Sequence, residues 1–121
     1  MNISLLFVLL IGAFSVKTRL TEKENEKVIK VKLEDTIEIN VRTNPTTGYD
    51  WNMKLNNAKL ILSSDTTTAV PHEPSMVGFP SDRLFVLKPQ EPGTTIIELN
   101  YIRPWMPDNA ARKLKYTIII Q

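Results

Sequence analysis

The stretch Thr36-Ile37-Glu38-Ile39-Asn40-Val41-Arg42-Thr43-Asn44-Pro45-Thr46-Thr47-Gly48-Tyr49-Asp50-Trp51-Asn52-Met53 is a loop set between two runs of period two. In the first run Ile37, Ile39 and Val41 face one way, and Thr36, Glu38, Asn40 and Arg42 face the other. In the second, Tyr49, Trp51 and Met53 alternate with Asp50, Asn52 and Lys54, which predicts a strand with an aromatic inner face. Between them Pro45 fixes its own φ and drives Asn44 towards an extended backbone. Gly48 can take φ > 0 where the chain must reverse. The β-branched Thr46 and Thr47 have few rotamers. A stiff loop that holds two hydroxyls out at its tip is expected. The same residue types build ordinary hairpin turns, so the loop alone assigns no function.

The alternation recurs along the chain. Val28–Lys32, Leu60–Leu62, Arg83–Lys88, Thr95–Tyr101 and Lys113–Ile120 each read as a strand. Lys17–Lys27 is polar and mixed in charge, and reads as a mobile lead-in. Ser63–Thr68 reads as a polar connection. Ala69–Asp82 carries three prolines and a glycine, which excludes a helix or a central strand there. No stretch sustains a helical period. About seven short strands joined by turns predict an all-β fold, an antiparallel β-sandwich of immunoglobulin-like kind. The order in which the strands pair is not legible at this level.

The 121 residues suit one domain, and 42% apolar with 23% charged residues is a globular composition. The net charge of +2 comes without a run of five like charges, so neither nucleic acid nor an anionic membrane is expected as a partner. With no cysteine, a disulfide scaffold, a thiolate metal site and a cysteine nucleophile are all excluded. Ile3–Phe14 is nearly unbroken apolar, about twelve residues, too short to span a bilayer. It runs into Ala13-Phe14-Ser15, with small residues at alternate positions. Residues 1–15 are therefore expected to be a cleaved secretory signal, 16–27 a flexible lead-in, and 28–121 the functional domain. The chain should enter the secretory pathway, bound for a lysosome, phagosome or other vesicle or for secretion, with no membrane attachment once mature.

His72 is the only histidine, and no Gly-x-Ser-x-Gly elbow or glycine-rich phosphate loop occurs. No catalytic residue, metal site or cofactor is expected, and the chain reads as a binder. Arg103-Pro104-Trp105 directly follows a well-patterned strand. A tryptophan beside an arginine on a proline-stiffened loop has the composition of a binding hot spot. The same residues would also suit a tryptophan folded back over the end of the sandwich.

Asn44-Pro45-Thr46-Thr47-Gly48-Tyr49, followed by Tyr101-x-Arg103-Pro104-Trp105, resembles the chagasin family of cysteine peptidase inhibitors. The likeness covers roughly Val28 to Gln121. It implies an immunoglobulin-like sandwich with three binding loops at one end, forming a wedge for the cleft of papain-like, cathepsin-like cysteine peptidases. The wedge would act non-covalently, reversibly and as a monomer. The resemblance implies that the Asn44–Tyr49 loop blocks the catalytic centre, with Thr47 nearest the enzyme's Cys-His pair. It places Arg103, Pro104 and Trp105 on the primed side. A third loop carries Gly-x-Gly in the family, whereas here Gly78-Phe79-Pro80 stands in its place. Pro80 has no N–H to donate, so Phe79 is expected to offer its side chain to an apolar subsite instead. Arg103 is expected either to meet an acid on the enzyme or to brace its own loop. Two other classes fit the composition. One is a secreted immunoglobulin-like adhesion or carbohydrate-binding module with Trp51 and Trp105 as stacking platforms. The other is a structural subunit that uses an exposed edge strand.

Overall fold

The computed structural model describes residues 15–75 and 78–121. Eight strands follow in order: β1 Lys17–Leu20, β2 Val28–Val31, β3 Thr36–Thr43, β4 Asp50–Leu55, β5 Leu60–Ala69, β6 Ser81–Pro89, β7 Gly93–Ile102 and β8 Arg112–Ile120. Two single 3-10 turns, Glu22–Glu24 and Pro45–Thr47, complete the set. The strands form two four-stranded sheets, ordered β1-β3-β6-β5 and β2-β8-β7-β4. This is the expected all-β sandwich. The predicted signal segment falls almost wholly outside the described residues.

Alternation builds the core. Ile37, Ile39, Val41, Leu60, Phe85 and Leu87 from the first sheet are buried together with Trp51, Ile97, Leu99, Leu114, Tyr116, Ile118 and Ile120 from the second. Their polar neighbours along each strand lie on the outer faces, as period two requires. Burying these side chains is the main stabilising term, about 1.5–3 kcal/mol for each large one.

Three readings of the sequence are corrected. The expected mobile lead-in carries β1 and a 3-10 turn, because Lys17–Leu20 pairs in parallel with Thr36–Ile39. The polar connection at 63–68 is instead part of β5, which pairs with β6 as far as Ala69↔Ser81 after a register shift between Leu62 and Ser64. An edge strand takes its backbone bonds from one neighbour and needs no apolar row, while Thr66, Thr67 and Thr68 favour extended backbone. The sandwich is also not wholly antiparallel, since β1–β3 and β2–β8 are parallel edge pairs. The chain changes sheet between β1 and β2, so each short strand joins an edge without a hairpin.

Register decides where the loops meet. Thr43↔Ser81 and Ala69↔Ser81 bring the end of β3, the end of β5 and the start of β6 to one pole. Asp50↔Ile102 and Tyr101↔Arg112 do the same for β4, β7 and β8. The indole Nε1–H of Trp51 donates to the Arg42 carbonyl (3.0 Å), and the Thr43 hydroxyl donates to Asp50 Oδ1 (3.0 Å). These bonds join the two sheets under that pole. The loops 44–49, 70–80 and 103–111 therefore emerge side by side.

Candidate functional site: a rim of three loops

The 44–49 loop is a tight 3-10 turn with Pro45 at its first position and Gly48 left-handed at its end (φ 82°). Its first two carbonyls are occupied internally. Asn44 O accepts from Thr47 N (3.1 Å), and Pro45 O from Gly48 N (3.0 Å). The two threonine hydroxyls were expected to point out at the tip, but both donate back to Asn44. Thr46 Oγ1 reaches Asn44 Oδ1 (2.6 Å) and Thr47 Oγ1 reaches Asn44 O (2.7 Å). A residue at the head of a short turn offers acceptors within reach of hydroxyls two and three positions on. The Thr47 oxygen is still available as an acceptor and takes a bond from Tyr49 N (3.3 Å). Both threonines remain exposed, so the tip presents fixed rather than rotating hydroxyls.

Asn44 is the junction of the rim. Its N–H donates to the Tyr101 hydroxyl (3.1 Å) and its Nδ2 donates to the Gly78 carbonyl (3.2 Å). The first loop is thus tied to β7 below and to the third loop beside it. A Cβ added to Gly78 would lie 3.4 Å from Thr46 Oγ1, so the two loops leave room for no more than a methyl group there.

The 103–111 loop closes on the first from the other side. Trp105 is 67% exposed and rests on Gly48. The Arg103 guanidinium lies over the Tyr49 ring at 4.4 Å and within 6.0 Å of the Trp105 ring. Tyr49 stacks on Tyr101 (5.3 Å, 20° between planes), and Tyr101 lies against buried Trp51 (4.8 Å). A ladder of rings and a guanidinium therefore runs from the core to the exposed indole. Of the two roles expected for Arg103, the geometry supports the brace: its Nε is buried, and its guanidinium carbon lies over two aromatic rings. Stacking of this kind needs a flat, weakly hydrated cation, which arginine supplies and lysine does not.

The third loop is pinned at its base. Val70 N donates to the Pro80 carbonyl (3.2 Å) at its base. Phe79 is half-buried. It stacks flat on His72 with 3.7 Å between centroids and 10° between planes, and His72 Nδ1 lies 2.9 Å from the Val70 carbonyl. His72 is exposed, and it is also the platform for Phe79.

Sequence reasoning missed Arg83. Its guanidinium grips Asp65 on β5 through Nε–Oδ1 (2.9 Å) and Nη2–Oδ2 (2.7 Å). It also donates from Nη1 to the Trp51 carbonyl (2.6 Å) and pairs with Asp50 (3.0 Å). The bidentate bond to Asp65 holds its pKa above the usual arginine range, against the opposing effect of burial. This cation binds β4, β5 and β6 together directly beneath the rim. Its signal was present in the sequence, since Arg83 falls in the inward row with Phe85 and Leu87.

The residues expected to bind a peptidase lie on this rim: Asn44, Pro45, Thr46, Thr47, Gly48, Tyr49, Gly78, Phe79, Arg103, Pro104 and Trp105. Trp51, offered as a carbohydrate platform, is 2% exposed and belongs to the core.

Comparison with known proteins agrees with this geometry. The family model for the chagasin family peptidase inhibitor I42 matches residues 30–120. Amoebiasin-2 of Entamoeba histolytica is 46% identical over 103 residues, covering 84% of each chain. The crystal structure of EhICP2, a cysteine protease inhibitor from Entamoeba histolytica, superposes with a TM-score of 0.82 at 43% identity, over 91% of this chain and all of that one (100%). The solution structure of Amebosin superposes with a TM-score of 0.72 at 29% identity, over 87% of this chain and 98% of that one. With the matched region running from β2 through β8 and carrying all three loops, the chain belongs to the chagasin family of peptidase inhibitors.

Proposed function

We propose that the protein inhibits papain-like cysteine peptidases reversibly and without a covalent bond, by seating the three-loop rim in the active-site cleft. The observation that carries this reading is the convergence of the loops through Asn44–Gly78 and Gly48–Trp105. Together they make one continuous, exposed edge.

The first loop enters the centre of the cleft, with Thr47 closest to the catalytic pair. A peptidase attacks a carbonyl presented on extended chain, whereas here the Asn44 and Pro45 carbonyls are engaged within a 3-10 turn. The loop fills the site without offering a bond to cut. Trp105 is the main anchor on one side, held by Arg103. The third loop lines the other side, pinned at its base by the Val70–Pro80 bond. Nanomolar affinity requires about −12 kcal/mol, within reach of a standard interface near ~1,600 Å². Ordering a loop side chain on binding costs about 0.5–1.5 kcal/mol, and internal bonds at Asn44, Thr46 and Thr47 remove part of that cost beforehand. The apolar run before Val16 supports delivery through the secretory pathway, to a lysosome, phagosome or the exterior.

The deciding experiment is an inhibition titration of the purified domain against a panel of papain-like enzymes. Near-stoichiometric, reversible slowing of hydrolysis is expected. Full activity of every enzyme at micromolar protein would overturn the reading.

A further inference from the structure

At the pole opposite the three loops, the Asp35 side chain is only 7% exposed. Both its oxygens accept backbone hydrogen bonds, Oδ2 from Lys32 N (2.8 Å) and Oδ1 from Val16 N (3.0 Å). Val16 is held on its other side as well, because its carbonyl accepts from Thr36 N (3.0 Å). None of the ion pairs among the described residues includes Asp35. A carboxylate this buried is costly without a cation beside it. The nitrogen it already binds is the one that becomes charged if the chain is cut after Ser15. The sequence alone places the signal cleavage near Val16, from Ala13-Phe14-Ser15 and with no reference to Asp35. Two unrelated observations thus meet at Val16.

We propose that Ser15–Val16 is the processing site and that Asp35 is the built receptor for the Val16 α-ammonium it releases. A membrane-bound leader peptidase adds water across the Ser15–Val16 peptide bond. The Ser15 carboxylate leaves with the leader. The Val16 nitrogen keeps the electron pair and takes up both protons of the water, becoming an ammonium. In the uncut chain Asp35 accepts from a neutral amide N–H, and in the cut chain it accepts from a cation. Charge-assisted bonds are about twice as strong as neutral ones. Processing then fastens β1 to the edge of the first sheet through Lys17↔Thr36 to Leu20↔Ile39. The device is independent of the inhibitory reading, because it lies at the far end of β3 from Asn44.

The test compares three otherwise identical chains: one beginning with a free amine at Val16, one beginning there but Nα-acetylated, and one extended by Ser15 and a preceding glycine. The free-amine chain should melt about 4 °C or more above the other two, which should melt alike. Asp35→Asn should abolish that gap. Equal melting of all three chains, or a gap that survives Asp35→Asn, overturns the proposal. If Asp35→Asn does not fold, the amine and acetyl forms of the unmutated chain decide, since they differ in charge at the one nitrogen. The full chain secreted from eukaryotic cells should give an intact mass beginning at Val16. A start at any other residue overturns the assignment of the site. Peptidase inhibition should be the same for all three chains.

Discussion

The Trp105 indole lies on Gly48 so closely that a Cβ at that glycine would stand 2.6 Å from Cη2 of the ring. Gly48 therefore has two duties. Its φ of 82° lets the first loop turn, and its missing side chain gives the indole of the second loop a seat.

Gly48→Ala should separate binding from stability. The left-handed backbone costs about 1–2 kcal/mol in any residue with a Cβ. The clash falls on an exposed side chain that can swing away. Inhibition should weaken at least tenfold while the melting temperature falls by only a few degrees. Unchanged inhibition would mean that Trp105 needs no seat.

Trp105→Ala removes the anchor itself. Because the indole is 67% exposed, the fold should be unaffected. The inhibition constant should rise about 30-fold, or roughly 2 kcal/mol. Loss of folded protein in circular dichroism would instead show that the ring serves the sandwich.

Arg103→Lys keeps the charge and loses the flat stack on Tyr49 and Trp105. If Arg103 is a brace, lysine should weaken inhibition nearly as much as alanine does, with little dependence on salt. Recovery by lysine, together with strong salt dependence, would point to a charge pair with the enzyme.

Asn44→Ala cuts the tie to Gly78 and the acceptor of the Thr46 hydroxyl at once. A loss of about tenfold in inhibition is expected, with faster amide exchange in the first and third loops. Asn44→Asp retains the acceptor for Thr46 but not the donor to Gly78, so it should fall between the two. Equal inhibition by all three proteins would show that the loops need no mutual bond.

Tyr116 gives a pH test of the scaffold. Burial, helped by Glu24 and Glu22, pushes its phenol up to about 12 from an ordinary value of 10.0. The hydroxyl donates to the Thr21 carbonyl (2.8 Å). The folded state holds this proton more tightly than the unfolded state. The contribution is fully present below pH ~10 and is lost as pH rises towards about 12, up to roughly 2 kcal/mol. Thermal melts from pH 9 to 12 should show this decline. In Tyr116→Phe the decline should be shallower, and stability at neutral pH lower by about 1 kcal/mol.

Much of this protein was legible in the chain itself. The alternation of Ile37, Ile39 and Val41 fixed β3, and Pro45 and Gly48 marked the turn, because local sterics and a two-residue period act within one strand. The two motifs carried the family and named the residues of the first two loops of the rim. Tertiary structure alone decided the rest. β1 and the outer half of β5 lack an apolar row and exist only because β3 and β6 offer them backbone partners. The Thr46 and Thr47 hydroxyls turned inward, and Phe79 folded onto His72, since each found a partner that sequence position does not reveal. Period two tells a side chain which face it occupies. Only strand register tells three separate loops that they share one end, and in β3–β6 and β4–β7 that register is set by backbone bonds between residues 38 to 52 positions apart.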